Sequence, residues 1–253
     1  MRNTKVMLGA IISLWAVAIL IGCGENMQQK INRYIGEMGS RAKTPVRDAY
    51  SDQLKMIGKP AVNTLIKNME GSNDKMIRAY CAITLGKIGD PIAEDPIKKV
   101  LKDEAPEVRA KAANGLCLLI DKRAVPSMIE LLKDKDSNVR DEVKRCLVSV
   151  LKEESRGVAI DRLIEELDSP DLFLRNEARV CLGQFGRQAL PKVLEFLRTA
   201  TEDNVIIITA KTVADIGDKS ALGALQEAAD KAKGKPEVVK RINGAYNDLL
   251  QKP

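Results

Sequence analysis

The sequence predicts an all-α protein: an α-solenoid, or superhelix, of about six to seven stacked αα-hairpins. An apolar residue followed by Arg recurs with a period of 31 residues, and glycines interrupt the apolar pattern inside the repeats. Aromatic residues make up 3% of the chain and charged residues 30%. That balance suits helices packed through aliphatic side chains better than a β-sandwich. With 253 residues, 45% of them hydrophobic, the chain is long enough to bury a core.

The start of the chain has the layout of a signal peptide. Arg2 and Lys5 precede residues 6–21, which contain no charged side chain. This run is shorter than the roughly 20 apolar residues that span a bilayer, and a Gly-Cys-Gly sequence follows it instead of a charged stop-transfer cluster. We therefore expect residues 1–22 to be a signal peptide that is removed.

Residues 20–23, Leu-Ile-Gly-Cys, resemble the bacterial lipobox, in which signal peptidase II cuts before a Cys that carries a diacylglyceryl group. The resemblance implies an exported protein that is lipid-anchored to the bacterial cell envelope through Cys23, because more than one acyl chain makes membrane attachment stable. Gly24 stands where an inner-membrane retention signal would place Asp, which implies the outer membrane in a Gram-negative host. An uncleaved anchor and an ordinary signal peptide are the alternatives. Residues 23–44 are expected to be the lipidated segment with a linker or short helix.

Charge and composition argue against several functions. The net charge of +6 includes Arg2 and Lys5, so the processed chain is only weakly basic, and we predict no nucleic-acid partner. The sequence contains no histidine, the commonest general base and transition-metal ligand. No Gly-rich phosphate loop or nucleophile elbow is present either. We therefore predict no catalytic residue, cofactor, metal or small-molecule substrate.

The repeat array is expected over residues 45–250. A sixth unit continues in phase at Val205, and a partial seventh begins near Val238. We call each apolar-Arg pair a marker and count positions from its apolar residue. The five marker pairs are Val46-Arg47, Ile77-Arg78, Val108-Arg109, Val139-Arg140 and Leu174-Arg175. Successive pairs are separated by 31, 31, 31 and 35 residues.

Each unit begins with a helix whose buried face is set by the residues eight and eleven positions after the marker. The first set is Leu54, Leu85, Leu116, Leu147, Leu182 and Val213, and the second is Ile57, Ile88, Leu119, Val150, Phe185 and Ile216. Prolines, which suit the first turn of a helix, lie near several starts: Pro45, Pro106, Pro170 and Pro236. Glycines suited to left-handed caps follow the helices at Gly58, Gly89, Gly186 and Gly217.

A second helix follows each break. Its apolar stripe reads Leu65/Ile66/Met69, Val100/Leu101, Ile129/Leu132, Ile164/Leu167, Leu194/Leu197 and Leu222/Leu225. One hairpin cannot bury both stripes alone, so several must stack. Four extra residues, 153–156, lengthen the turn of the fourth unit, and we expect a surface loop there rather than a binding protrusion.

These units resemble the short HEAT-like repeats first associated with phycobilisome lyases. The resemblance rests on the apolar-Arg pair, the Leu-Gly-x-Ile-Gly-Asp turn at residues 85–90 and the Ala-Val-Pro helix start at residues 124–126. Proteins with such repeats attach bilins, hydroxylate deoxyhypusine at a di-iron site or excise alkylated bases from DNA. The hydroxylase would require His-Glu ligand pairs, which a chain without histidine cannot supply. The bilin and DNA activities belong in the cytoplasm, away from a lipoprotein.

Four cysteines remain after Cys23, and they fall on small-residue positions of the repeat, as Cys81, Cys146 and Cys181 show. Equivalent positions in adjacent units should lie roughly 8–10 Å apart. A disulfide needs Cα atoms within about 7 Å. We therefore predict buried thiols without disulfides.

The repeat arginines Arg47, Arg78, Arg109, Arg140 and Arg175 are predicted to be structural rather than ligand-binding. Acidic residues three positions before the marker, at the helix starts, are the expected partners in neighbouring units: Asp74, Asp136, Asp171 and Glu202. A partner-binding role is considered for Phe173, Ile207 and Ile208, apolar residues on a nominally polar helix face. A contact between the isoleucines and the last hairpin is the alternative.

The sequence thus favours a membrane-anchored scaffold that binds one or more proteins of the cell envelope. A lyase-like or enzyme-assisting protein that acts on another protein is the alternative. A structural link between membrane and cell wall is a third possibility. No feature of the sequence identifies the partner.

Overall fold

A computed structural model describes residues 25–252, without the side chains of residues 120–122. It contains fourteen α-helices, and no strand occurs in the described range. The predicted all-α solenoid is confirmed. The signal peptide and Cys23 lie outside the described residues. Among residues 25–252, no helix is both long and apolar enough to cross a membrane.

The helices stack in chain order, and from α2 onward first and second helices alternate. They are α1 (Met27–Glu37), α2 (Thr44–Ile57), α3 (Val62–Gly71), α4 (Lys75–Ile88), α5 (Glu94–Val100), α6 (Pro106–Ile120), α7 (Val125–Leu131), α8 (Ser137–Arg145), α9 (Glu153–Glu165), α10 (Leu172–Phe185), α11 (Leu190–Thr199), α12 (Asp203–Ile216), α13 (Leu222–Lys231) and α14 (Pro236–Gln251). First helices pack on the first helices of the next unit: α2 on α4, α4 on α6, α6 on α8, α10 on α12, and α12 on α14.

Glycine ends four of the first helices. Gly58, Gly89, Gly186 and Gly217 all have positive φ, between 59° and 79°. Gly89 and Gly217 adopt the predicted left-handed conformation. Gly58 and Gly186 instead combine positive φ with ψ of −136° and −134°, a region that side chains avoid even more strongly. In each of these four hairpins a short 3₁₀ turn then leads into the second helix.

The core follows the predicted phase. All six residues at the eighth position after the marker, from Leu54 to Val213, are completely buried. At the eleventh position Phe185 is buried, while the other five are partly buried against the core. One continuous cluster of apolar side chains runs from Ile31 to Leu249. The stacked hairpins therefore share a single core.

Helix α1 occupies the position of a second helix ahead of the first unit. Met38 precedes the marker Val46 by eight residues, as Met69 precedes the marker Ile77, and both methionines are fully buried. The helix packs against α2 and α3. The packed core therefore begins ahead of residue 45, where the sequence places the start of the array.

The fourth unit departs from the others. A π-helical turn, Cys146–Val150, continues α8, and the Leu151 amide donates to the Cys146 carbonyl at 3.1 Å. The four extra residues form the first turn of α9, which has 13 residues. The predicted loop is wrong, because Glu153 and Glu154 favour the positive end of a helix dipole.

Candidate protein-binding surface

The repeat arginines tie each hairpin to the turn before it. Every one donates to backbone carbonyl oxygens near the end of the preceding second helix, where positive charge is favourable. The acceptors are Gly39 and Ser40 for Arg47, Ser72 for Arg78, Asp103 and Glu104 for Arg109, Asp134 and Lys135 for Arg140, and Ser169 for Arg175.

Two of the arginines also bind a carboxylate through two hydrogen bonds. Arg78 donates to Asp103 at 2.8 and 3.0 Å, and Arg109 donates to Asp134 at 2.6 and 2.7 Å. The side chains of the second pair are only 7% and 6% exposed. Each aspartate follows the second helix of the arginine's own unit, while the carbonyl acceptors belong to the turn before that unit, so each arginine joins consecutive hairpins.

These aspartates differ from the predicted partners. Asp74, Asp136 and Asp171 accept hydrogen bonds from backbone amides at the starts of their own helices, while Glu202 makes no side-chain cap. A carboxylate at a helix start satisfies an otherwise unpaired amide locally. The acids that bind arginine lie in the turns, outside the periodic apolar pattern.

The remaining three arginines lack this carboxylate. The positions that correspond to Asp103 and Asp134 hold Ser72, Ser169 and Ala200. Arg140 instead lies over an aromatic ring, with its guanidinium carbon 5.1 Å from the centroid of Phe173. Its Nε is 3.5 Å from a Glu177 oxygen and makes no hydrogen bond.

Phe173 stands beside a second exposed apolar residue at the start of α10. Leu172 is 72% exposed and Phe173 47%, and we call these two residues the Leu172–Phe173 pair. Asp171 accepts hydrogen bonds from the amides of Phe173 (2.9 Å) and Leu174 (3.1 Å), so the pair stands on an ordered helix start. The sequence reasoning singled out Phe173 but missed Leu172, although its position at the N-terminus of a predicted helix was a usable signal.

Ile207 and Ile208 have a different environment. Both are partly buried and packed against the core. Ile207 lines a recess of about 380 Å³ together with Lys240, Arg241 and Gly244 of α14. The structure therefore places Ile207 against the last helix, the alternative that the sequence left open, and away from an open surface.

The described cysteines are buried and no disulfide joins them, as predicted. Burial raises the pKa of the Cys81 thiol, and it raises the pKa of Cys181 to about 12. Both thiols therefore stay protonated at neutral pH. Within the described residues, no group of three or more acidic or cysteine side chains is arranged to hold a metal ion.

The second helices offer one further recess, between α9 and α11. It has a volume of about 440 Å³, and Ile164 and Phe196 contribute its apolar lining. Three of its charges are already paired, since Lys192 lies 2.5 Å from Asp161 and Arg162 bridges to Glu165. Glu195, which also lines the recess, makes no ion pair within residues 25–252. The recess therefore offers a partner little beyond one carboxylate and the half-buried Phe196.

An α-solenoid whose hairpins are joined by a repeating arginine defines a helical-repeat protein. The sequence pattern of HEAT repeats matches residues 94–179, and that of the PBS lyase HEAT-like repeat matches residues 77–103. The chain thus contains HEAT-like repeats, and the resemblance inferred from the marker pairs is confirmed for this part of the array.

Among curated proteins, no sequence matches this chain. Solved structures do match. The complex of CpcE and CpcF of phycocyanin lyase from Nostoc sp. PCC7120 is 19% identical, covers 87% of this chain and 94% of its own, and has a TM-score of 0.42. An archaeal HEAT-like repeats protein from Thermococcus onnurineus NA1 is 16% identical, with 89% and 97% covered and a TM-score of 0.43. Human deoxyhypusine hydroxylase is 21% identical, with 94% and 89% covered and a TM-score of 0.35.

Proposed function

We propose that this HEAT-repeat protein is a scaffold that binds another protein of the bacterial cell envelope through the Leu172–Phe173 pair. The observation that carries the proposal is the exposure of two adjacent large apolar side chains beside Arg140. Aromatic residues and arginine dominate the binding energy of protein interfaces. Burial of one such side chain contributes about 1.5–3 kcal/mol. The pair and Arg140 therefore have the residue types that are typical of the centre of a protein–protein interface.

The proposal includes a membrane tether at Cys23. Its support is the sequence alone: the two basic residues, the uncharged run of residues 6–21 and the lipobox-like residues 20–23. In a Gram-negative host the outer membrane is the proposed destination, because Gly24 replaces the Asp of the retention signal. Replacing Cys23 with Ser should prevent lipidation without changing the melting temperature. The masses of the N-terminal peptides of the wild type and the variant are then compared. If they differ only by the substitution itself, Cys23 carries no lipid and the lipid-anchor proposal is wrong.

We propose binding rather than catalysis. The support is the complete absence of histidine from the chain, together with cysteine thiols that burial keeps protonated. Within the part of the chain that the structure describes, no specific side-chain arrangement favours the lyase-like alternative.

The binding surface can be tested with a photo-crosslinking amino acid in native membranes. Placed at Phe173, the probe should capture one partner in stoichiometric yield. Val158, an apolar residue of α9 that is 40% exposed, provides the matched control and should capture little.

A second variant tests the same surface by loss. Leu172→Asp should abolish copurification of the captured partner and leave the melting temperature within a few degrees, because the side chain is mostly in water. Equal capture from positions 158 and 173, or a partner that Leu172→Asp still retains, would contradict the proposal.

A further inference from the structure

Four exposed apolar side chains lie in the first half of the array. They are Met27, Met56, Ile92 and Leu118, which are 53%, 82%, 60% and 45% exposed. Single exposed apolar residues are ordinary on protein surfaces. Their exposure alone therefore does not indicate a binding site, and the informative property is where in the fold they lie.

Three of the four lie where a first helix turns into its second helix. Met56 is next to the last residue of α2, Ile92 is in the turn Pro91–Ala93 between α4 and α5, and Leu118 is in the last turn of α6. Successive hairpins of a solenoid stack in register, so these turns form one edge.

Ion pairs connect the hairpins along this edge. Lys87 near the end of α4 binds Asp52 of α2 at 2.8 Å, and Arg123 in the third turn binds Glu94 at the start of α5 at 3.1 Å. The turns of the first three units are therefore neighbours, and the apolar residues between them belong to a continuous surface.

Met27 belongs to the same edge. It begins α1, which takes the position of a second helix, and the Gln28 side chain donates to the Thr64 hydroxyl near the start of α3 at 2.9 Å. The start of α1 thus lies beside the first turn. We call the surface formed by Met27, Met56, Ile92 and Leu118 the N-terminal turn edge.

Basic charge is available on this edge. Lys55 and Lys59 are exposed, and neither makes an ion pair within the described residues. Most carboxylates are engaged: Asp52 by Lys87, Glu94 by Lys98 and Arg123, and Asp90 by the Ile92 amide that it caps. Among the carboxylates on this edge whose side chains the structure describes, Asp95 is exposed and makes no ion pair. An apolar row with unpaired lysines suits the boundary between acyl chains and phosphate groups of a bilayer.

The chain also leads to this edge. Cys23 precedes Met27 by four residues, which span at most about 14 Å when fully extended. A membrane that holds Cys23 or the run of residues 6–21 must therefore lie close to the start of α1.

We propose that the N-terminal turn edge lies on the bilayer surface, with Met56 and Ile92 in the interface and Lys55 and Lys59 at anionic phosphate groups. This proposal rests on the membrane attachment in the proposed function. The Leu172–Phe173 pair lies at the start of a first helix, the opposite end of the hairpins, so it faces away from the lipid and stays open to a protein.

The test measures the depth of single side chains in a bilayer. The lipidated protein is purified from membranes, with Cys23 acylated on its sulfur and so not open to labelling, and is reconstituted into vesicles of phosphatidylethanolamine and phosphatidylglycerol. A fluorophore is attached to Met56→Cys or Ile92→Cys, with Leu172→Cys and Val158→Cys as exposed apolar controls. The native thiols of Cys81, Cys117, Cys146 and Cys181 are buried and will not be labelled.

Nitroxide-labelled lipid should quench the probes at 56 and 92 several-fold more than those at 158 and 172. Omitting phosphatidylglycerol should reduce the difference if the lysines contribute. Equal quenching at all four positions in vesicle-bound protein would overturn the edge proposal and leave the attachment intact. Failure of the lipidated protein to float with vesicles would overturn both. In a further outcome, the probes at 56 and 92 are shielded from solvent in native membranes but are not quenched by nitroxide-labelled lipid. That result would show that a protein, and not the bilayer, covers the edge.

Discussion

Arg78 and Arg109 show how individual charged side chains hold neighbouring hairpins together. Each guanidinium binds both oxygens of the aspartate that follows the second helix of its own unit, and it also binds a carbonyl oxygen in the turn before that unit. Removing charges from water is costly unless every hydrogen-bonding group is satisfied. Two-point pairing supplies that compensation and also fixes the distance between hairpins.

Acid should weaken the array through these aspartates. Burial raises the pKa of the Asp134 carboxyl, but the hydrogen bonds from Arg109 and the Asp136 amide, together with the nearby positive charges, outweigh it and hold the pKa below the ordinary value of 3.8. The same balance applies to Asp103, where Arg78 and the Ala105 amide are the donors. The stabilisation from a lowered pKa is complete above the unfolded value and is lost as pH falls through the folded value. Urea midpoints should therefore fall as pH drops below about 4. Asp134→Asn should be less stable at pH 7 and should flatten this dependence, and an unchanged acid slope would contradict the assignment.

Thiol chemistry gives a second prediction at this scale. The four described cysteines are buried, so an aromatic disulfide reagent should modify none of them in the native protein at pH 7 and all four in denaturant. A protein in which Cys23 is unmodified should show one rapidly reacting thiol before denaturation. The number of thiols that react rapidly in the native protein therefore shows whether Cys23 is modified. Rapid modification of Cys81 or Cys181 would contradict the burial of these groups.

At the scale of elements, the contact between α4 and α6 depends on glycine. A Cβ atom on Gly86 would lie 2.7 Å from the carbonyl carbon of Gly115, and one on Gly115 would lie 2.5 Å from the carbonyl oxygen of Ala82. The two helices thus meet backbone to backbone. Small residues permit this approach because no side chain separates the helix axes.

Gly86→Ala should therefore destabilise the protein by about 1–3 kcal/mol, the usual cost of overpacking. Gly157→Ala is the matched control, because a Cβ there meets nothing within 4 Å. It should stabilise α9 by up to about 1 kcal/mol through helix propensity. Chemical denaturation of both variants measures the contrast, and a stabilising Gly86→Ala would show that the helices are further apart.

The elements that could be predicted from sequence are those that repeat. The marker pairs and the leucines at the eighth position gave the first helices because their period is regular and their face is fully buried. The sequence allowed a linker or short helix over residues 23–44, but the packing of α1 into the array was missed because only half of a unit precedes the first marker. Helix α9 was misjudged because an insertion was read as a loop, although Glu153 and Glu154 suit a helix start. The partners of the arginines lie in turns, where apolar periodicity carries no information.

The site was less predictable than the fold. Phe173 could be recognised because an aromatic residue precedes a marker, but its contact with Arg140 depends on how two units stack. Ile207 has the same apolar character in the sequence and is covered by α14. Exposure depends on the neighbouring helix, which the local sequence does not specify.

For the molecule as a whole, one continuous core implies that a charge in the middle of the array affects all units. Leu116→Asp places a carboxylate at a fully buried position and should cost several kcal/mol, with a large fall in melting temperature. Leu118→Asp lies two residues further along the same helix, 45% exposed, and should change stability by less than about 1 kcal/mol. Calorimetry compares the two. Equal melting temperatures for the two variants would show that the phase of the repeat is wrong.

The two terminal helices have one more consequence. Outward-facing residues of α1 include Gln28, Gln29 and Asn32, and those of α14 include Lys240, Asn243 and Asn247, all of them hydrated. Met27 and Leu250 are the exposed large apolar residues of these two helices, so an incoming copy meets mainly hydrated side chains rather than a continuous apolar face on which to continue the stack. We expect crowded molecules to remain separate rods instead of growing into filaments, so binding capacity should rise in simple proportion to the amount of protein present.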